Sequence, residues 1–112
     1  MKYVVVDIET TGGKPNGNGI TEIGIVHVEH KKITHQWSTF VNPLQSIPYN
    51  IQMLTGIKDD MVADAPTFEE TIPELLKHLE GDIFVAHSVN FDYSFIDAAF
   101  REAGQPWRMP KL

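Results

Sequence analysis

The chain has no cysteine. That excludes disulfide bonds, thiolate nucleophiles and thiolate zinc sites, and says little about compartment. No stretch approaches the ~20 apolar residues that a bilayer-spanning helix needs. The apolar run near the start is broken by Asp7 and is too short for a secretory signal, so a cytoplasmic location away from membranes is expected. Basic residues are scarce: 9 Lys and Arg stand against 15 Asp and Glu, a formal net charge of −6. This argues against a protein that coats duplex DNA through a broad basic face. Gripping only the end of a strand stays open where bound metal offsets the local charge. No repeat, low-complexity tract or linker divides the 112 residues. They make one domain, large enough for a core and small for an α/β layer architecture.

What is present begins with Tyr3-Val4-Val5-Val6, running directly into Asp7-Ile8-Glu9-Thr10-Thr11-Gly12. Adjacent β-branched residues predict a buried strand flanked by other layers. Asp7 and Glu9, at i and i+2, fall on the same face of that strand. Two acids there either face water at an ordinary strand end or share a cation. Hard divalent metals such as Mg2+ or Mn2+ suit a small cluster of carboxylate oxygens. Gly12 and Gly13 permit a sharp turn and close approach of backbone to a ligand.

The loop 13–19 is dense in turn residues. Residues 20–29 and 33–41 read as two further strands, joined so briefly by a polar turn that they must be antiparallel neighbours. A short helix is expected at about 49–54. Thr67-Phe68-Glu69-Glu70 has the form of a capping box and opens a helix to about His78, with Pro73 expected to kink or restart it. Ile83-Phe84-Val85-Ala86 predicts a parallel central strand, since one helix leads in and another leaves. Phe91, Phe95, Ile96, Ala99 and Phe100 mark one face of a last helix, stopped by Gly104. Lys111-Leu112 look like the start of an element that is cut off.

Ala86-His87-Ser88-Val89-Asn90-Phe91-Asp92 lies where that strand passes into the last helix. Asp92 falls in the helix's first turn, near the carboxyl end of strand 83–86. Alone, it reads as a charge complementing the helix N-terminus. Sites in open α/β sheets form outside the carboxyl ends of the strands. If strands 83–86 and 3–8 are parallel, Asp92 faces Asp7 and Glu9 across one small space, and three acids there favour a metal site.

Three motifs in matching order, Asp7-Ile8-Glu9-Thr10-Thr11-Gly12, Leu54-Thr55-Gly56-Ile57 and Ala86-His87-x-x-Asn90-Phe91-Asp92-x-x-Phe95, resemble the DEDD 3′–5′ exonucleases, in particular the proofreading exonuclease (epsilon) subunit of bacterial DNA polymerase III and its relatives. The likeness covers essentially the whole chain. It implies an α/β, ribonuclease H-like mixed sheet, an antiparallel meander plus a parallel strand, flanked by helices. It implies two divalent cations, Mg2+ or Mn2+, with Asp7, Glu9 and Asp92 as ligands and catalytic residues. It implies a single-stranded or frayed 3′ end of DNA, or an RNA end, as substrate, and a DNA polymerase subunit as a further partner. Thr10, Thr11 and Gly12 would lie against the terminal nucleotide through backbone, and Leu54 would pack on a base or belong to the core. Asn90 would touch substrate or cap the last helix. His87 is expected to be a hydrogen-bonded structural residue, and Phe91 and Phe95 core.

Two departures stand out. Ser88 occupies a position where the family usually has Asn. The family's third motif, with a fourth acid and a histidine general base, has no counterpart: none of His27, His30, His35, His78 and His87 matches, and no motif recommends Asp97 or Glu102. The chain therefore reads as an exonuclease-like domain whose C-terminal part is missing. A missing general base costs typically ~10²–10⁴-fold in rate. Besides the exonuclease reading, a non-catalytic nucleic-acid-binding or docking module of the same fold, or a marginal fragment with exposed apolar surface, fits the sequence.

Overall fold

The computed structural model describes residues 1–112. The elements in chain order are β1 (Lys2–Thr10), β2 (Ile20–Glu29), β3 (Lys32–Phe40), α1 (Tyr49–Thr55), α2 (Asp59–Val62), α3 (Phe68–His78), β4 (Ile83–Val85) and α4 (Val89–Glu102). One mixed sheet has the strand order β3-β2-β1-β4. β1 and β3 both run antiparallel to β2, and β4 runs parallel to β1. The meander plus one parallel strand is the expected arrangement. α2, a single turn, was not expected; it buries Val62 against Ile47 and Ile57, and Asp59 accepts the Ile47 N–H at 2.8 Å.

β1 is covered on one face only, a correction to the doubly layered strand expected from its valines. Val4, Val6 and Ile8 are buried, while Tyr3 and Asp7 on the other face are exposed. The buried face meets Ile23 and Ile25 of β2, Ile72 and Leu75 of α3, and Phe95, Ile96 and Phe100 of α4. Each such side chain stabilises the fold by about 1.5–3 kcal/mol on burial. The alternation of period 2 in β1 and the i, i+4 spacing in α3 and α4 thus point at one shared core.

β4 is shorter than expected and lies at the end of the four-strand order, not at its centre. Phe84 is nevertheless fully buried, its ring packed edge-on against Tyr93 and Trp107, and the second edge of β4 is covered by the chain near residue 111. There the Phe84 N–H donates to the Pro110 carbonyl at 2.8 Å, and the Leu112 N–H donates to the Phe84 carbonyl at 3.0 Å. The helices before and after it, which led to the central reading, fit an outer strand equally well.

α3 starts with the capping box: Thr67 Oγ1 accepts the Glu70 N–H, and Glu70 Oε1 accepts the Thr67 N–H at 2.9 Å. It then runs through Pro73 as one helix, neither ending nor restarting. The carbonyl that Pro73 leaves without a helix donor belongs to Glu69, an exposed residue. α4 ends where Gly104 takes φ 75°, a left-handed conformation that costs glycine little, and its N–H donates to Arg101 O. No helix is long and apolar enough to cross a membrane.

Candidate active site

The site arises where β1 and β4 part. β4 pairs with β1 only over Tyr3 to Val5, so the edge of β1 beyond Val5 has no strand beside it. The chain turns away after Val85 and enters α4, whose first turn carries Asp92. Asp92 Oδ2 accepts the Ile8 N–H at 3.1 Å across this gap. A backbone donor that lost its ladder partner is thereby satisfied, and Asp92, only 5% exposed, is locked beside Asp7 and Glu9. The N-terminal end of α4 favours an acid at this position as well.

Charge crowds this corner. Burial, then the negative charge of Asp7, Glu22 and Asp92, pushes the Glu9 carboxyl above its ordinary value. Burial pushes Asp92 up as well, with Asp7 adding to it, against the opposing Ile8 N–H and His87. Glu22 is a member that sequence reasoning missed. The β1–β2 register sets it directly opposite Glu9, and like charges so placed destabilise a sheet. Its only sequence signal is an acid set among the isoleucines of β2.

Oxygen donors from Asp7, Glu9 and Asp92 suit a hard divalent cation, and their mutual repulsion is the kind a cation relieves. The donor chemistry therefore fits. No group of three His, Cys, Asp or Glu side chains stands assembled to grip an ion. The acids are neighbours that act on one another through charge, not a closed cage.

The expected substrate residues divide. Thr10 and Thr11 are buried, and their hydroxyls serve the fold. Thr10 Oγ1 donates to Gly12 O at 2.7 Å; Thr11 Oγ1 accepts the Gly19 N–H at 3.0 Å and lies 3.0 Å from Asn18 Oδ1 and 3.1 Å from Gln45 Oε1. These bonds hold the loop after β1 and leave backbone as the surface it can offer. A Cβ on Gly12 would fall 2.6 Å from Asn18 Oδ1, so any other residue here would have to displace the Asn18 side chain. Leu54 is 80% exposed on α1, which overturns its reading as core. Asn90 is exposed inside the first turn of α4; Ser88 is the N-cap and makes no side-chain cap bond, so the capping role for Asn90 is also corrected. His87 is exposed too, not a bonded structural histidine, because the chain leaves β4 one residue earlier than expected. Phe91 and Phe95 do pack together, ring centroids 5.0 Å apart, against the core.

A cavity of about 400 Å3 opens behind the loop, lined among others by Asn18, Asn42, Gln45, Phe68, Ala98 and Glu102. None of Asp7, Glu9, Glu22 and Asp92 lines it.

The family model described as Exonuclease (RNase_T) matches residues 4–111. The chain belongs to this exonuclease family. Its curated relatives include the PolC-type DNA polymerase III of Caldanaerobacter subterraneus, 46% identical over 103 residues, and the 3′-5′ exonuclease DinG of Bacillus subtilis, 40% identical over 105. These alignments cover 92% and 93% of this chain but only 7% and 11% of the relatives, so the chain spans a small part of their length. Among solved structures, exonuclease X in complex with 5′ overhanging duplex DNA aligns over 97% of this chain and 56% of that one, with TM-score 0.74 and 29% identity. Exonuclease I aligns over 99% of this chain and 28% of that one, with TM-score 0.87 at 11% identity, a likeness of fold. The exonuclease domain thus has the ribonuclease H-like mixed sheet that its motifs implied.

Proposed function

We propose that this domain is a metal-dependent 3′–5′ exonuclease that hydrolyses the terminal phosphodiester bonds of single-stranded or frayed DNA ends. The observation that carries the reading is the Ile8–Asp92 hydrogen bond, which brings an acid of α4 to the two acids of β1. Membership of the exonuclease family and the DNA-processing relatives support it. When bound, two divalent cations, Mg2+ or Mn2+, held by Asp7, Glu9 and Asp92, would activate the attacking water and stabilise the leaving 3′-oxygen. The chain's own part is placement. Ile8 fixes Asp92, and the Thr11–Asn18–Gln45 contacts hold the backbone from Thr10 to Gly12, which would meet the terminal nucleotide. Leu54 and Asn90, both exposed, offer an apolar and a polar contact to the strand end. A cytoplasmic location and work beside or within a DNA polymerase belong to the same proposal.

The test is the time course of a 5′-labelled single-stranded DNA oligonucleotide with Mg2+ or Mn2+, against EDTA, with an RNA of the same sequence alongside. The domain is assayed as this chain and within its natural open reading frame. A metal-dependent ladder on DNA, lost in Asp7→Ala, is the expected result. A ladder on RNA alone would move the substrate to RNA ends. Strand binding with no ladder would make the domain a binding module.

A further inference from the structure

Three of the five histidines gather at the end of the molecule away from the acids, where β2, β3 and the last turn of α3 meet. His27 and His35 are direct partners in the β2–β3 register, and His78 is the last residue of α3. We propose that His27, His35 and His78 form a proton-sensitive clasp that fastens the C-terminal end of α3 to β2 and β3 and opens on mild acidification.

The hydrogen bonds define how it closes. His27 Nε2–H donates to the His78 carbonyl at 2.6 Å, serving one of the carbonyls that a helix end leaves unpaired. His35 Nε2 and His78 Nδ1 lie 2.9 Å apart, so one ring donates and the other accepts. The rings also stack: His35 on His78 with centroids 4.9 Å apart, and Trp37 on the other ring contact of His78 at 4.3 Å. Trp37 Nε1–H in turn donates to Glu74 Oε1 at 3.2 Å.

The three ring systems do not converge on one point, since His27 spends its Nε2 on a carbonyl; the cluster is a set of hydrogen bonds and not a metal cage. Protonation acts on it unequally. A charged His27 keeps its bond, because Nε2 still donates. The His35–His78 pair holds one proton in the gap between its nitrogens; with both rings protonated, two donors and two charges face each other there.

The surrounding charges are mixed. Lys2 of β1 and Lys77 of α3 line the same open pocket with Glu29 of β2, and Glu74 of α3 lies 3.9 Å from His78 Nε2. Burial, then the charge of His35, lowers His78 below its ordinary value; Glu74 opposes, while His27 and Lys77 add. A lowered histidine contributes stability that is present above its unfolded value of about 6.5 and is lost as pH falls through the folded value. The clasp is therefore shut at neutral pH and opens below it.

The experiment follows the imidazole resonances of His35 and His78 by NMR from pH 8 to 5. In parallel it measures amide-exchange protection, corrected for intrinsic rates, at Lys77, His78 and Leu79. His78 should titrate below 6.5, and protection of these amides should fall as it does, by about tenfold for each unit of lowering. His35→Gln keeps a side chain that can donate to or accept from His78 without titrating, so protection should fall less steeply with pH than in the native chain, burial of His78 accounting for what remains. A His78 titration at its ordinary value, protection that ignores pH in the native chain, or an unchanged pH response in His35→Gln would each overturn the clasp.

Discussion

Asp92 accepts a hydrogen bond from the Ile8 N–H, 84 positions away, and so joins the first turn of α4 to the C-terminal part of β1. Asp92→Asn keeps an oxygen for Ile8 and removes the charge. We expect it to remain folded and to lose about 10²-fold or more in turnover of a DNA end, as for other groups that act on a charged transition state. Asp92→Ala should also lose about 1–3 kcal/mol of stability, because the Ile8 N–H is left buried and unpaired. Thermal melts and the ladder assay, run on both variants, separate the two effects. Full turnover in Asp92→Asn would remove Asp92 from the site.

The raised carboxyls of Glu9 and Asp92 set a sign for stability against pH. A carboxyl raised in the folded state binds its proton more tightly there, so it favours folding below the unfolded value and ceases to do so as pH rises through the folded one. In EDTA, stability should fall as pH climbs upward from the ordinary values of 4.5 for Glu9 and 3.8 for Asp92. Denaturant titrations across that range should show the fall, and Glu9→Gln should reduce it.

Divalent metal should reverse that loss at neutral pH. A cation that binds only the folded chain stabilises it by about 2.7 kcal/mol at one hundred times its dissociation constant. Melting curves with Mg2+ or Mn2+ should shift upward, and the shift should vanish in Asp7→Ala. An equal shift in both proteins would place the metal elsewhere.

Glu22 sits opposite Glu9 and pushes it up. Glu22→Gln should stabilise the metal-free chain by about 0.2–1 kcal/mol, the usual cost of like charges directly opposed in a sheet. The same change should raise the metal concentration needed for half-maximal stabilisation. A variant that moves neither quantity would show that the two acids do not act on each other.

Leu54 is almost fully in solvent, so Leu54→Ala should alter stability by no more than about 0.5 kcal/mol. KM for a DNA end should rise if the side chain meets a base. An unchanged KM would leave Leu54 outside the substrate surface.

Much of the frame was legible because its signals are local. The capping box of Thr67 and Glu70, the stop at Gly104, the tight connection between β2 and β3 and the apolar faces of α3 and α4 all lie within a few residues of what they control. The metal-ligand candidates were legible from motif order, and the pairing of β4 parallel to β1 put Asp92 on the side expected. Pairings distant in sequence were settled by tertiary structure alone. The register that opposes Glu9 and Glu22, the single covered face of β1, the burial of Thr11 and the exposure of Leu54 depend on which surfaces meet. The sequence by itself determined which segments turn helical or extended and which acids could gather, since propensity and period act over one or two turns of chain. Only the tertiary structure decided which backbone N–H lost its partner where β4 ends, and that donor is what holds Asp92 beside β1.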